Sequence, residues 1–185
     1  VINPANEEII GKASKASSED VDKALLSAQK GLEVWKKTPP WQRAYILRRI
    51  ADKMREKQDI LAKWMTLEVG KPFAEAKGEV NGAADIYEWN AEETKRIYGQ
   101  TVESRFEDTR VHVYYQPVGV VAALVPWNFP LVLSARKIST ALAAGCSVIV
   151  KPDVITPGVV MEQVEICREC GAVSYTHLTL PTTLV

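Results

Sequence analysis

The sequence is short of the residues that most often cross-link a chain or bind metal. Its 185 residues hold three cysteines and two histidines. An odd, small cysteine count gives no disulfide framework and points to a reducing, cytoplasmic setting. A single C-x-x-C pair, Cys167 and Cys170, has no second pair to complete a metal-ligand set, and no metal site is expected. Charge of either sign is also missing as an excess. Lys+Arg and Asp+Glu are both 23, for a formal net charge of zero, which excludes the basic footprint of a nucleic-acid binder. No apolar run approaches a membrane span. The opening residues have neither the charged lead nor the apolar stretch of a secretory signal. They also lack an initiator Met, so further sequence is expected upstream. Finally, no G-x-G-x-x-G loop follows the first strongly apolar strand, so the common dinucleotide fingerprint is absent.

What remains is ordinary for a soluble globular chain, 46% hydrophobic and 25% charged, and long enough for one domain with a real core. Residues 2–16 alternate weakly around Pro4, Asn6 and Gly11 and read as a short hairpin. Ser17 and Asp20 resemble a capping box with a shortened acid. Behind them Val21, Ala24, Leu25, Ala28, Leu32 and Trp35 fall on one helical face, which Thr38-Pro39-Pro40 ends. A second helix starts near Trp41 with Ile46, Leu47, Ile50 and Met54, pauses near Gln58-Asp59, and resumes through Leu61, Trp64, Met65 and Leu67. Gly70 and Pro72 stop it. A third spans about 73–98, with Gly99 as its expected cap. The charges Arg48, Arg49, Lys53, Arg55 and Glu56 read as solvated faces.

After Gly99 the character changes. Residues 111–115 are strand-like, and 116–119 make a turn. Residues 118–125 are almost wholly apolar, which suits a strand buried on both faces of a parallel sheet. A rigid loop, Pro126-Trp127-Asn128-Phe129-Pro130, leads into a helix over 131–144 capped by Gly145. Ser147-Val148-Ile149-Val150 is a second apolar strand. The unit is βαβ, so its two strands run parallel. Both following loops, 126–130 and 151–154, leave carboxyl ends of parallel strands, where ligands of open α/β sheets bind. An amide (Asn128), an indole (Trp127) and a cation (Lys151) thus gather on one rim. In an arbitrary βαβ unit the Trp would as readily be core and the Lys simply solvated.

In order and spacing, Pro126-Trp127-Asn128-Phe129-Pro130, Ala141-Leu142-Ala143-Ala144-Gly145-Cys146 and Val150-Lys151-Pro152 resemble the aldehyde dehydrogenase family. So do Asn3-Pro4-Ala5, Leu67-Glu68-Val69-Gly70-Lys71-Pro72, Glu75-Ala76-Lys77-Gly78-Glu79 and residues 89–98. The resemblance covers nearly all of 1–171 and implies an α/β fold: N-terminal helices packed on a partial, parallel, Rossmann-like sheet, truncated before the catalytic domain. That family's dinucleotide fold does without the common glycine fingerprint. The resemblance assigns 1–99 and 118–172 to part of the NAD(P)-binding domain and 100–117 to the strands of an oligomerisation arm in a homo-oligomeric parent.

By the same resemblance the activity is NAD(P)-dependent oxidation of an aldehyde to an acid. The Asn128 amide would donate to the oxyanion of the thiohemiacetal intermediate, Val125, Pro126 and Trp127 would line the cofactor beside it, and Lys151 would bind the adenosine ribose. Pro152, Asp153 and Val154 complete the expected NAD or NADP contacts. Many NAD-preferring members have Glu where this chain has Val154. Valine cannot hold the ribose hydroxyls, yet it removes a carboxylate that would repel a 2′-phosphate. Arg136 narrows the substrate. It stands where members acting on uncharged aldehydes commonly have Trp, and it resembles succinate-semialdehyde dehydrogenases, whose arginine faces the substrate carboxylate. A guanidinium fork suits bidentate carboxylate recognition. Lactaldehyde-type relatives share the Arg-Lys pair, and an arginine can also be paired within the helices, so both alternatives stay open.

The family's cysteine nucleophile and glutamate base would lie beyond residue 185, leaving this chain inactive by itself. Cys146 reads as core and the Cys167-Arg168-Glu169-Cys170 pair as a helix end. Residues 173–185 do not follow the family pattern. Read back into codons, Val173-Ser174-Tyr175-Thr176-His177-Leu178-Thr179-Leu180-Pro181-Thr182 fits an adaptor used in DNA library preparation, and this tail is expected to be non-native. Were the chain end native, a non-catalytic nucleotide-binding domain would be the competing reading.

Overall fold

Apolar residues at helical spacing, bounded by caps and prolines, make the first half of the chain helical. The computed structural model of the chain describes residues 1–172 and the backbone of 177–179; the rest of the expected non-native tail lies outside the described residues. The opening hairpin is shorter than 2–16. It is a bridge between Ile2 and Ile9, closed by Asn3 N–H to Glu8 O at 2.9 Å and Ile10 N–H to Val1 O at 3.1 Å.

Helix α1 (Ser18–Trp35) begins on the capping box. Ser17 Oγ accepts the Asp20 N–H at 3.2 Å, and the Asp20 carboxylate accepts the Ser17 N–H at 2.9 Å. Its buried face is Ala24, Ala28, Gly31 and Trp35, while Val21 and Leu25 are exposed. Close packing through the small residues turns the face away from the one expected. Helices α2 (Pro40–Glu56) and α3 (Gln58–Val69) meet at Lys57, next to the expected pause. Gly70 caps α3 in the left-handed region at φ 74°.

Helix α4 (Phe73–Thr94) ends one turn before the expected boundary, at a cap on Lys95 rather than Gly99. Gly99 answers a different demand. A Cβ there would sit 2.4 Å from the Val113 carbonyl oxygen, so glycine permits close backbone approach. That approach is made by an antiparallel hairpin, β1 (Gln100–Glu103) with β2 (Arg110–Val113). Tyr114 and Tyr115, expected in the strand, lie beyond it. Both strands are exposed along their length.

The βαβ unit forms as expected: β3 (Val120–Leu124), α5 (Pro130–Ala143) and β4 (Ser147–Lys151), with β3 and β4 parallel. Helix α6 (Pro157–Glu169) follows, and β5 (His177–Thr179) joins β4 in parallel, giving the order β3-β4-β5. Strand β4 is central and buried, with alternate residues facing two layers. Val148 and Val150 join the main core of α2 to α6, whereas Ile149 packs with Ala24 and Ala28 of α1. Strand β3 departs from the both-faces expectation. It is an edge among the described residues, Ala123 is buried, and Leu124 is 62% exposed. Trp35 Nε1 donates to Leu142 O at 2.9 Å in the interior, tying the end of α1 to the last turn of α5.

Candidate active site

The loop over 126–130 is set by its two ends. Val125 is buried and donates its N–H to Lys151 O at 3.0 Å, which extends the β3–β4 ladder into the rim and holds the two loops together. Pro130 is buried at the first position of α5, where a proline needs no N–H partner. Between these anchors Pro126, Trp127, Asn128 and Phe129 are exposed. Trp127 is therefore not a core residue, and among the described residues the Asn128 side chain has no hydrogen-bond partner.

Across the rim, Lys151 is exposed and its ammonium carries no hydrogen bond or ion pair among the described residues. Pro152 is buried, while Asp153 and Val154 are half-buried. Asp153 shapes the chain locally, its Oδ1 accepting the Ile155 N–H at 3.0 Å in the turn that starts α6.

Asn128 and Arg136 line the same cavity, of about 490 Å³, between α4 and the start of α5. Phe129, Val132 and Leu133 form its apolar wall, and Gly78 and Gly82 of α4 keep the facing side low. Val132 and Arg136 are four residues apart and share a helix face. The Arg136 guanidinium makes no hydrogen bond or ion pair among the described residues, so it is not consumed in helix packing. Glu75, Lys71 and Glu79 also reach this cavity.

Two buried glutamates were not singled out from the sequence. Glu79 is 6% exposed. Its Oε1 accepts the N–H groups of Leu131 at 3.0 Å and Val132 at 3.3 Å, and its Oε2 is ion-paired to Lys71. Lys71 in turn donates to Asn128 O at 3.3 Å and stands 4.0 Å above the Phe129 ring. Glu68 does the same for α6, accepting from Gly158 at 2.6 Å and Val159 at 3.0 Å. Burial pushes the Glu68 carboxyl up to about 7, against the pull of those two N–H groups. A signal existed. Glu79 falls in phase with Ala76, Val80 and Ala83, and Glu68 with Leu61 and Met65, so each is a carboxylate set into an apolar helix face.

The three cysteines are all buried. Burial pushes the Cys167 thiol up to about 12, beside Tyr87 Oη at 3.4 Å, and raises the Cys170 thiol as well. Neither is a thiolate at neutral pH. No group of three or more potential metal ligands occurs among the described residues, and none of their helices is long and apolar enough to cross a membrane.

Residues 1–174 match the aldehyde dehydrogenase family. The chain belongs to that family. A glutarate-semialdehyde dehydrogenase of Pseudomonas aeruginosa is 46% identical over 171 residues, covering 92% of this chain and 35% of the relative. An NADP(+) succinate-semialdehyde dehydrogenase of Escherichia coli is 44% identical, covering 92% and 36%. Among solved structures, an NADP-dependent enzyme of E. coli superposes with a TM-score of 0.97 at 42% identity, covering 99% of this chain and 38% of that one. The α/β aldehyde dehydrogenase fold is thus shared, and the chain spans about a third of the length of the relatives it matches.

Proposed function

We propose that this chain is the part of a semialdehyde dehydrogenase that carries the oxyanion donor and the carboxylate clamp. The observation that supports this reading is the single cavity shared by Asn128 and Arg136. Arg136 receives the substrate carboxylate through two parallel N–H donors. The substrate then lies along the apolar wall of Val132 and Leu133, with its aldehyde toward the Asn128 loop. A cysteine thiolate from elsewhere in the full-length enzyme attacks the carbonyl carbon, and the C=O electron pair moves onto oxygen. The Asn128 side-chain amide, free of other partners, donates to that oxygen as its charge develops. None of this chain's own cysteines suits the nucleophile, being buried and, at Cys167 and Cys170, held protonated.

The rim fits a dinucleotide. Lys151 is an unpaired cation there, Trp127 offers an exposed indole, and Val125, Pro126, Pro152 and Asp153 shape the loops around them. Val154 presents no carboxylate against a 2′-phosphate, so NAD or NADP is accommodated, and the E. coli relative is named for NADP(+). When bound, the cofactor supplies the hydride acceptor. On the same reading, 1–99 and 118–172 form part of the NAD(P)-binding domain, 100–117 the oligomerisation arm of a cytoplasmic homo-oligomer, and 173–185 a non-native tail.

Steady-state kinetics of the full-length protein carrying this sequence, with succinate semialdehyde and propanal and with NAD and NADP in parallel, test the proposal. A kcat/KM for the semialdehyde roughly tenfold or more above propanal is expected, equivalent to about 1.4 kcal/mol of transition-state discrimination. Equal or better use of propanal overturns the carboxylate assignment. The 185-residue chain alone is expected to turn over neither substrate.

A further inference from the structure

The charged pair behind the Asn128 loop has an arrangement that helix stability alone does not require. Helix α5 starts on Phe129 with no side-chain cap. Its first free N–H groups are satisfied from another helix, by Glu79 of α4. One carboxylate oxygen holds Leu131 and Val132. The other pairs with Lys71, whose ammonium reaches the carbonyl of Asn128 and the face of Phe129. The side chains are 11% exposed for Lys71 and 2% for Glu79. The pair therefore grips both sides of the Asn128 loop, its own peptide oxygen on one side and the helix it enters on the other. Within the pair, the Glu79 carboxylate also faces the two other positive features at that end of the cavity, the α5 N-terminus and Lys71. Arg136 is left as the unpaired cation, with Glu75 the remaining acid on the lining.

We propose that Lys71 and Glu79 are positioning residues: they fix the Asn128 peptide relative to α5, and so aim its side-chain amide at the carbonyl oxygen of the substrate. This rests on the semialdehyde dehydrogenase reading. The pair touches no reacting atom, and its effect on rate comes through the placement of Asn128. Misplacement of a reacting or polarising group by about 1 Å can cost on the order of 100-fold in rate.

The test uses the full-length enzyme with Glu79→Gln, Lys71→Met and the double variant. Each single change leaves one buried charge unpaired and destabilises the protein; the double change removes both charges and restores much of the thermal midpoint. A positioning role predicts that kcat stays roughly 10- to 100-fold down in the double variant although its stability returns, with KM for the semialdehyde little changed. Amide hydrogen exchange at Leu131 and Val132 should quicken in both variants that lack the Glu79 carboxylate, because the neutral Gln oxygen accepts more weakly and has lost the ion pair that holds it in place. Recovery of kcat together with the thermal midpoint overturns the inference, because the pair would then serve stability alone. Unchanged exchange at those two amides overturns it as well. A wild-type enzyme that oxidises no aldehyde defeats the dehydrogenase reading and this inference with it, and shows before any variant is compared.

Discussion

Asn128 is held by its backbone while its side chain is left free. Its carbonyl accepts from Lys71, and two residues later the chain enters a helix at a buried proline. A primary amide presented this way donates to a developing oxyanion with little reorganisation. Replacing Asn128 with Ala in the full-length enzyme should lower kcat by about 10²–10³-fold for charged and uncharged aldehydes alike. A steady-state comparison of the two substrate types checks it, and a loss confined to one of them would contradict the role. Single residues were readable from the sequence where they stood out of place. Asn128 and Trp127 follow an apolar strand, and Arg136 stands where, by the family resemblance, members acting on uncharged aldehydes commonly have Trp. Glu79 and Lys71 were not read, since a charge on a helix is ordinarily a solvated face and their meeting depends on α4 lying against α5.

Among the elements, the two helices that follow parallel strands are built alike. Both α5 and α6 begin with proline and lack a local side-chain cap. Each takes a buried glutamate from the helices packed on it, Glu79 for α5 and Glu68 for α6. A carboxylate at a helix N-terminus is stabilised by the helix dipole, yet burial at Glu68 outweighs this and raises its pKa from 4.5 to about 7. The folded state therefore binds this proton more tightly than the unfolded state. The stability it brings is complete below pH 4.5 and is lost as pH rises through about 7. The full-length protein should lose stability across that window more steeply than its Glu68→Gln variant, by on the order of 3 kcal/mol. Thermal midpoints of the two proteins on either side of that window check this, and parallel curves would contradict it. Element types and the βαβ unit were legible from period and punctuation. The misplaced boundary at Gly99 was not, because that glycine answers a contact with Val113 of β2 rather than a helix end. The face of α1 was missed for a similar reason: Ala24 and Ala28 are chosen by the sheet beneath them.

At the scale of the fold, helices on one side and α1 on the other enclose β4, while β3 is an edge among the described residues, with Leu124 exposed. That geometry gathers the 126–130 and 151–154 loops and the Asn128–Arg136 cavity around the same end of the sheet, which is where the proposed reading needs a cofactor loop and a substrate pocket to meet. The substrate class rests on Arg136 being the carboxylate end of that pocket. The decisive comparison is kcat/KM of wild type and Arg136→Leu in the full-length enzyme, with succinate semialdehyde and propanal side by side. A loss of roughly 10- to 100-fold is expected for the semialdehyde, carried mainly by KM, with little change for propanal. An equal loss for both substrates, or none for the semialdehyde, would contradict the assignment.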